Sequence, residues 1–181
     1  FSGKSNEISE IDIIDWPGKP GTVISDYSSH QVKERPFIEP EEYKEMLSDY
    51  TGFMLRKYLP RVFPGLKGLS SIDFPIATVL DTGIFAGMYT PEALEAYGKM
   101  AKIARQNEEM AKTNFKFIGM LAGAGIPSFI TGAGEVPFDI ISDYFRGTMG
   151  AAMDLFEYED EIIELCDLFA DKQIASWQYF R

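Results

Sequence analysis

Hydrophobic and polar positions along the chain follow a helical rhythm over most of its length. Leu94, Tyr97, Ala101 and Ala104 recur at three- and four-residue spacing, and Ala111, Phe115 and Ile118 resume an apolar face further on. That period puts side chains on one face of a helix. Thr90-Pro-Glu92 supplies a capping hydroxyl, a proline for the first turn and an acid for its positive end, so the helix is predicted to start there and to stop at Gly123 and Gly125. The polar run Arg105-Gln-Asn-Glu-Glu109 between the two apolar stretches is expected to fray or bend it. Glu39-Pro-Glu-Glu-Tyr43 predicts a second helix start, running to about Ser48. Gly52–Leu59 reads as a further helical segment halted at Pro60, with Pro64 and Gly65 breaking the chain again. Thr148 is expected to cap a short helix through Phe156. Glu159-Asp-Glu161 opens a last one with Ile162, Leu165, Cys166, Phe169 and Trp177 on one face.

A second pattern interrupts this rhythm. Phe74–Leu80 is short, apolar and partly β-branched, and reads as a strand ended by Asp81-Thr-Gly83. Ile84–Tyr89 reads as a loop, and Ile11–Ile14 and Val32–Ile38 as possible extended pieces of an otherwise irregular segment 1–40. The most informative stretch is Ile126–Gly147. The apolar run Pro127–Thr131 empties into the loop Gly132-Ala-Gly134, and the amphipathic Phe138–Arg146 follows, closed by Gly147. The order is strand, tight loop, helix. The fold class expected is therefore α/β but helix-rich, a single domain over residues 1–181.

Composition narrows the function classes. A chain of 181 residues with 45% hydrophobic and 25% charged residues is globular in character. It has no apolar run long enough for a membrane span, and no secretory signal opens it. The net charge of −11, with 17 basic against 28 acidic residues, argues against nucleic acid as a partner. The local cluster Arg56, Lys57, Arg61 and Lys67 reads as a solvated helix face. A lone cysteine, Cys166, rules out an internal disulfide and fits a cytoplasmic protein. His30 and Cys166 are far apart in sequence, so no local zinc motif is present. Cys166 reads as core packing and His30 as a solvated loop residue.

In α/β proteins ligands sit where strands give way to helices, and the Ile126–Gly147 junction concentrates candidate chemistry. Gly132, Ala133 and Gly134 read as a tight turn that would let the backbone approach a ligand, or as an ordinary strand-to-helix connection; Val136-Pro137 after Glu135 excludes a full dinucleotide-binding glycine motif. Glu135 is a candidate proton donor if burial raises its pKa. Arg146 has two readings: a forked guanidinium for a substrate carboxylate, or a partner for the helix end or for Asp143. Asp143 would hold Arg146 in place or face water. Phe138 and Tyr144 would line the site, Tyr144 through packing or through its hydroxyl.

The same residues resemble a known family. Pro137-Phe138 after a Gly-Ala-Gly loop, then Ser142-Asp-Tyr-Phe-Arg-Gly147 and Gly150-Ala-Ala-Met-Asp154, is similar to the central part of the uroporphyrinogen decarboxylase superfamily. Phe53–Phe63 followed by Leu66-Lys-Gly-Leu69 is similar to an upstream segment of its decarboxylase-like members. The resemblance covers about Tyr43 to the C-terminus. It implies part of a (β/α)8 TIM-type barrel, which at 181 residues is too short to close. Since the chain starts at Phe1 and ends inside a predicted helix, it is expected to be an internal piece of a longer protein.

The resemblance further implies a tetrapyrrole-related carboxy-lyase without a cofactor, with the Gly132–Phe138 loop lining the cleft. Two departures stand out: the arginine-rich N-terminal motif of true decarboxylases is not in this chain, and Glu135-Val136 stands where they carry small residues. The alternative in the same superfamily is a methyltransferase working with a corrinoid protein or cobamide. Its zinc ligands, a His-x-Cys arrangement with a later Cys, are not in this chain. A third reading is a non-catalytic helical docking or assembly subdomain. A homo-oligomer is compatible with each.

Overall fold

The computed structural model of the chain describes residues 25, 27, 35–74, 82–126 and 134–178. Its α-helices, in chain order, are α1 (Tyr43–Ser48), α2 (Tyr50–Phe53), α3 (Leu59–Val62), α4 (Pro91–Gly123), α5 (Pro137–Ile140), α6 (Thr148–Glu157) and α7 (Glu159–Gln178). A π turn, Met54–Tyr58, joins α2 to α3, and a second, Ile141–Arg146, continues α5. Tight 3₁₀ segments cover Pro40–Glu42, Pro64–Ser71 and Thr82–Met88.

The helix starts follow local chemistry. The Glu42 carboxylate accepts the Glu39 backbone N–H at 3.0 Å, and Pro40 occupies the first turn. Asp49 caps α2 by accepting the Gly52 N–H at 2.9 Å. Thr90 caps α4 through the Ala93 N–H at 3.2 Å, with Pro91 as its first residue. The polar run 105–109 does not interrupt α4, because Lys112 pairs back to Glu108 at 2.8 Å and to Glu109 at 3.0 Å along the helix surface. Pro60 does not halt its segment either. It follows a π turn, in which the backbone is already wound off the i→i−4 ladder that a proline breaks.

Two apolar cores organise these elements. The larger is built from Ile38, Tyr43, Met46, Phe53, Ile141, Phe145, Ala151, Ile162, Leu165 and Phe169. It joins α1 and the first π turn region to the second π turn, α6 and α7. Each large side chain taken fully out of water there contributes about 1.5–3 kcal/mol. The smaller core packs Leu66 and Leu69 of the 3₁₀ segment against Ala96 of α4, with Met100 and Ile103 beside them. Gly68 makes that approach possible: a Cβ there would lie 2.0 Å from the Glu92 carbonyl oxygen. The buried face of α4 therefore runs through Ala93 and Ala96, and Leu94, expected on it, is exposed.

Among the described residues every regular element is helical and none is a strand, so they do not form part of a (β/α)8 barrel. The helix-rich character expected from the periodicity holds; the α/β barrel does not describe these residues. Arg35–Ile38, the described part of the extended piece expected over Val32–Ile38, has a different use. The Phe37 and Ile38 N–H groups both donate to one oxygen, that of Phe145, at 2.8 and 3.2 Å. Two donors on one carbonyl close a helix end, where carbonyls lack intrahelical partners, and build no ladder. Thr82–Met88 winds as a 3₁₀ turn where a loop was expected. The predicted strands Ile11–Ile14 and Pro127–Thr131 lie outside the described residues, as does all of Phe74–Leu80 but Phe74, which is irregular.

Candidate ligand cleft

Gly132 and Ala133 lie outside the described residues, and Gly134 is exposed at the entry to α5. Glu135 follows it on the surface and is held from two sides. Its backbone N–H donates to the Gln173 side-chain oxygen at 3.1 Å, while the Gln173 amide donates to its carbonyl at 2.9 Å. Its carboxylate accepts the Tyr144 hydroxyl at 2.8 Å. That bond, and then burial, pushes the Tyr144 phenol up to about 12. Tyr144 thus keeps its proton at neutral pH and acts as a donor. Phe138 packs half-buried against the larger core, and Asp143 accepts the Ser142 hydroxyl at 3.2 Å.

Arg146 is brought to a different place. Its Nε donates to Asp154 at 2.7 Å, and its Nη1 reaches Glu39 and the Ile38 carbonyl at 3.3 and 3.4 Å. Tyr43 donates to the same Asp154 oxygen at 2.6 Å. Burial, then this hydrogen bond to a carboxylate, drives the Tyr43 phenol far above its usual range. The guanidinium partner is therefore Asp154, not Asp143, and it ties α6 to the chain entering α1.

Beside Glu135 and Tyr144 opens a cleft of about 370 Å³. Its walls come from α2 and the first π turn, from the end of α5 and the second π turn, and from α7: Tyr50, Met54 and Tyr58 on one side, Ile140 and Tyr144 on the other, Lys172 and Gln173 at the rim. The two π turns are stitched together there. Tyr58 donates to the Tyr144 carbonyl at 2.8 Å, and its ring lies 4.6 Å from that of Phe145. A π turn leaves main-chain carbonyls without their ordinary helical partners, and such turns recur at functional sites. The Lys172 ammonium stands 4.2 Å over the Tyr50 ring, a cation on an aromatic wall. Burial keeps the Tyr50 and Tyr58 phenols protonated above their normal range.

Sequence reasoning missed Tyr50, Tyr58, Lys172 and Gln173. A signal existed for the first two: Tyr50, Met54 and Tyr58 are spaced four residues apart, on one helical face. Lys172 and Gln173 lie over a hundred positions away, and only the fold brings them near.

Three of the four residues of the basic cluster pair with acids of the chain. Arg61 forks onto Glu42 at 2.7 and 2.8 Å, Lys57 reaches Glu42 and Glu45 at 3.3 and 2.5 Å, and Arg56 pairs with Asp49 at 3.2 Å. Lys67 lines a second concavity of about 490 Å³, between Pro64–Ser71 and the start of α4, where Glu92 and Glu95 also face. Cys166 packs against the larger core, and burial pushes its thiol up, away from reactivity. His30 lies outside the described residues. Among the described residues no three His, Cys, Asp or Glu side chains gather as metal ligands. No helix among them is long and apolar enough to cross a membrane.

No family model matches the chain, and searches of curated proteins and of solved structures return no match either.

Proposed function

We propose that this chain is related to the uroporphyrinogen decarboxylase superfamily and that its aromatic cleft takes a tetrapyrrole-type ligand. The observation that carries the reading is the convergence of two π turns on one cleft beside the Glu135–Tyr144 pair. Aromatic walls suit the faces of pyrrole rings, and Lys172 at the rim suits a ring carboxylate. The volume accommodates one edge of a macrocycle, within the range of small-molecule sites.

The reaction proposed is decarboxylation of an acetate side chain. The bond between methylene and carboxylate breaks, carbon dioxide leaves, and the methylene carbon takes a proton to become a methyl group. Glu135 delivers that proton in its acid form once bound ligand covers it. Tyr144 and Gln173 fix its position, the first at the carboxyl and the second at the backbone. Arg146 orders the scaffold behind the cleft through Asp154 rather than meeting the ligand.

The test is an absorbance titration of the chain with uroporphyrin and, separately, with a cobamide. A Soret shift that saturates with uroporphyrin, and weakens in Lys172→Glu, supports the proposal. No shift, or one indifferent to Lys172→Glu, overturns it. Saturable binding of the cobamide alone transfers the assignment to the methyltransferase branch.

A further inference from the structure

Among the described residues, the long helix α4 is covered over only part of its length. Ala93 and Ala96 are fully buried, and Met100 and Ile103 pack on the Leu66–Leu69 core. These four residues advance in alternating steps of three and four. The same steps continue past the covered part through Asn107, Met110, Asn114, Phe117 and Leu121. This is an unbroken heptad seam of the kind that two helices share. Beyond Ile103 the seam stands largely open: Met110 is 45% and Phe117 59% exposed.

We infer that the distal half of α4, Ile103–Leu121, pairs antiparallel with the same segment of a second copy of this chain. Three observations select that occupant. The first is charge. Flanking the seam are Ala104, Ala111 and Ile118 on one side, and Gln106, Thr113 and Met120 on the other. Neither seam nor flanks carry a charge between Ile103 and Leu121. Arg105, Glu108, Glu109, Lys112 and Lys116 all occupy outer positions. A chain of net charge −11 repels its copy over most of its surface, and this strip is a neutral route past that repulsion.

The second is self-complementarity, which a two-fold interface requires. Reversing the strip about the level of Lys112 sets Ile103 opposite Leu121 of the second copy, Met110 opposite Asn114 and Asn107 opposite Phe117. Ala111 and Thr113 then meet their own counterparts, small residues where the helices come closest. Asn107 and Asn114 of opposite copies fall in adjoining layers, where each amide can both donate and accept. The strip spans about 27 Å at a rise of about 1.5 Å per residue.

The third is space. Pro64–Ser71 occupies the seam face only as far as Ile103. A parallel partner would bring two such segments to the same place. An antiparallel partner ends near Ile103 and completes the cover that the chain's own segment begins.

The test uses sedimentation equilibrium of the chain over a concentration series. A monomer–dimer equilibrium is expected, weakened about tenfold or more by Phe117→Asp, which exchanges one apolar contact per subunit for a charge. Phe117 is exposed in the single chain, so helicity by circular dichroism should not change. In a Cys166→Ser background, Asn107→Cys and Phe117→Cys should form a disulfide when mixed and oxidised, and neither should do so alone. A monomer at every concentration, a dimer unaffected by Phe117→Asp, or self-crosslinking of Asn107→Cys alone overturns the inference.

Discussion

Arg146 and Asp154 lie eight residues apart and meet at 2.7 Å in a setting where their side chains are only 15% and 6% exposed. The Asp154 carboxylate also receives the Tyr43 hydroxyl, so one acid holds two elements to the helix that carries it. Removing one member of such a pair leaves a charge stranded out of water, which costs more than the pair itself gains. Asp154→Ala should therefore destabilise the fold by about 3 kcal/mol or more in urea unfolding. The double variant Arg146→Met/Asp154→Leu should recover most of that loss, because no charge remains to be desolvated. A mild Asp154→Ala alone would return Arg146 to the pool of candidate ligand-binding groups.

Acid should act on the fold through Glu42. The Arg61 fork, helped by the Glu39 backbone and Lys57, holds the Glu42 carboxyl down to about 2 from an ordinary 4.5. A carboxylate depressed in the folded state contributes stability that is complete above its unfolded pKa and disappears as pH falls through the folded one. The window is thus about pH 4.5 down to about 2. Glu42→Gln should flatten that part of the pH–stability curve while leaving its slope near neutrality unchanged. Thermal melts at stepped pH on both proteins would show it, and an unchanged acid limb would rule out this pair as the cause.

At the other end of the scale, the Glu135–Tyr144 bond should be visible in a phenol titration. Tyr144 is raised to about 12, by the Glu135 hydrogen bond first and by burial second. Its neutral form is favoured on folding, so the associated stability is present below the unfolded tyrosine pKa and lost as pH rises through about 12. Subtracting the ultraviolet titration of Tyr144→Phe from that of the parent isolates this one phenol. Glu135→Gln should move it toward about 10, the value of a free tyrosine. No movement would mean that the two side chains are apart in solution.

Capping and punctuation made the helices readable. Thr90-Pro91, Glu39-Pro40 and Glu159 each start a helix where the sequence predicts one, and Gly123 ends α4 on schedule. These signals act within one turn, so no tertiary knowledge is needed. The failures have the opposite character. Leu94 fits an apolar face by spacing, but the contact made by Leu66 and Leu69 decides which face of α4 is buried. Arg146 reads in the sequence as meeting a substrate carboxylate, the helix end or Asp143, whereas its partner Asp154 lies past Gly147, whose turn redirects the chain. The cleft was the least legible feature, since Tyr50, Tyr144 and Lys172 share it only after three distant segments pack.

That turn supplies a last comparison, in which one substitution has opposite signs at different sites. Gly147 has φ 76° and ψ 149°, ends the second π turn and accepts the Ala151 N–H at 2.9 Å to start α6. A side chain at positive φ crowds its own backbone, so Gly147→Ala should cost about 1–2 kcal/mol whatever room surrounds it. Gly98 and Gly119 lie inside α4, and an added Cβ there would meet no atom within 4 Å. Each is also on the outer side of the helix, away from the seam. Gly98→Ala and Gly119→Ala should each stabilise by about 0.5–1 kcal/mol, because alanine loses less backbone entropy than glycine on entering a helix. Urea unfolding of the three variants checks both signs at once. A stabilising Gly147→Ala would mean that the junction between the π turn and α6 adopts another backbone, and with it another placement of Asp154.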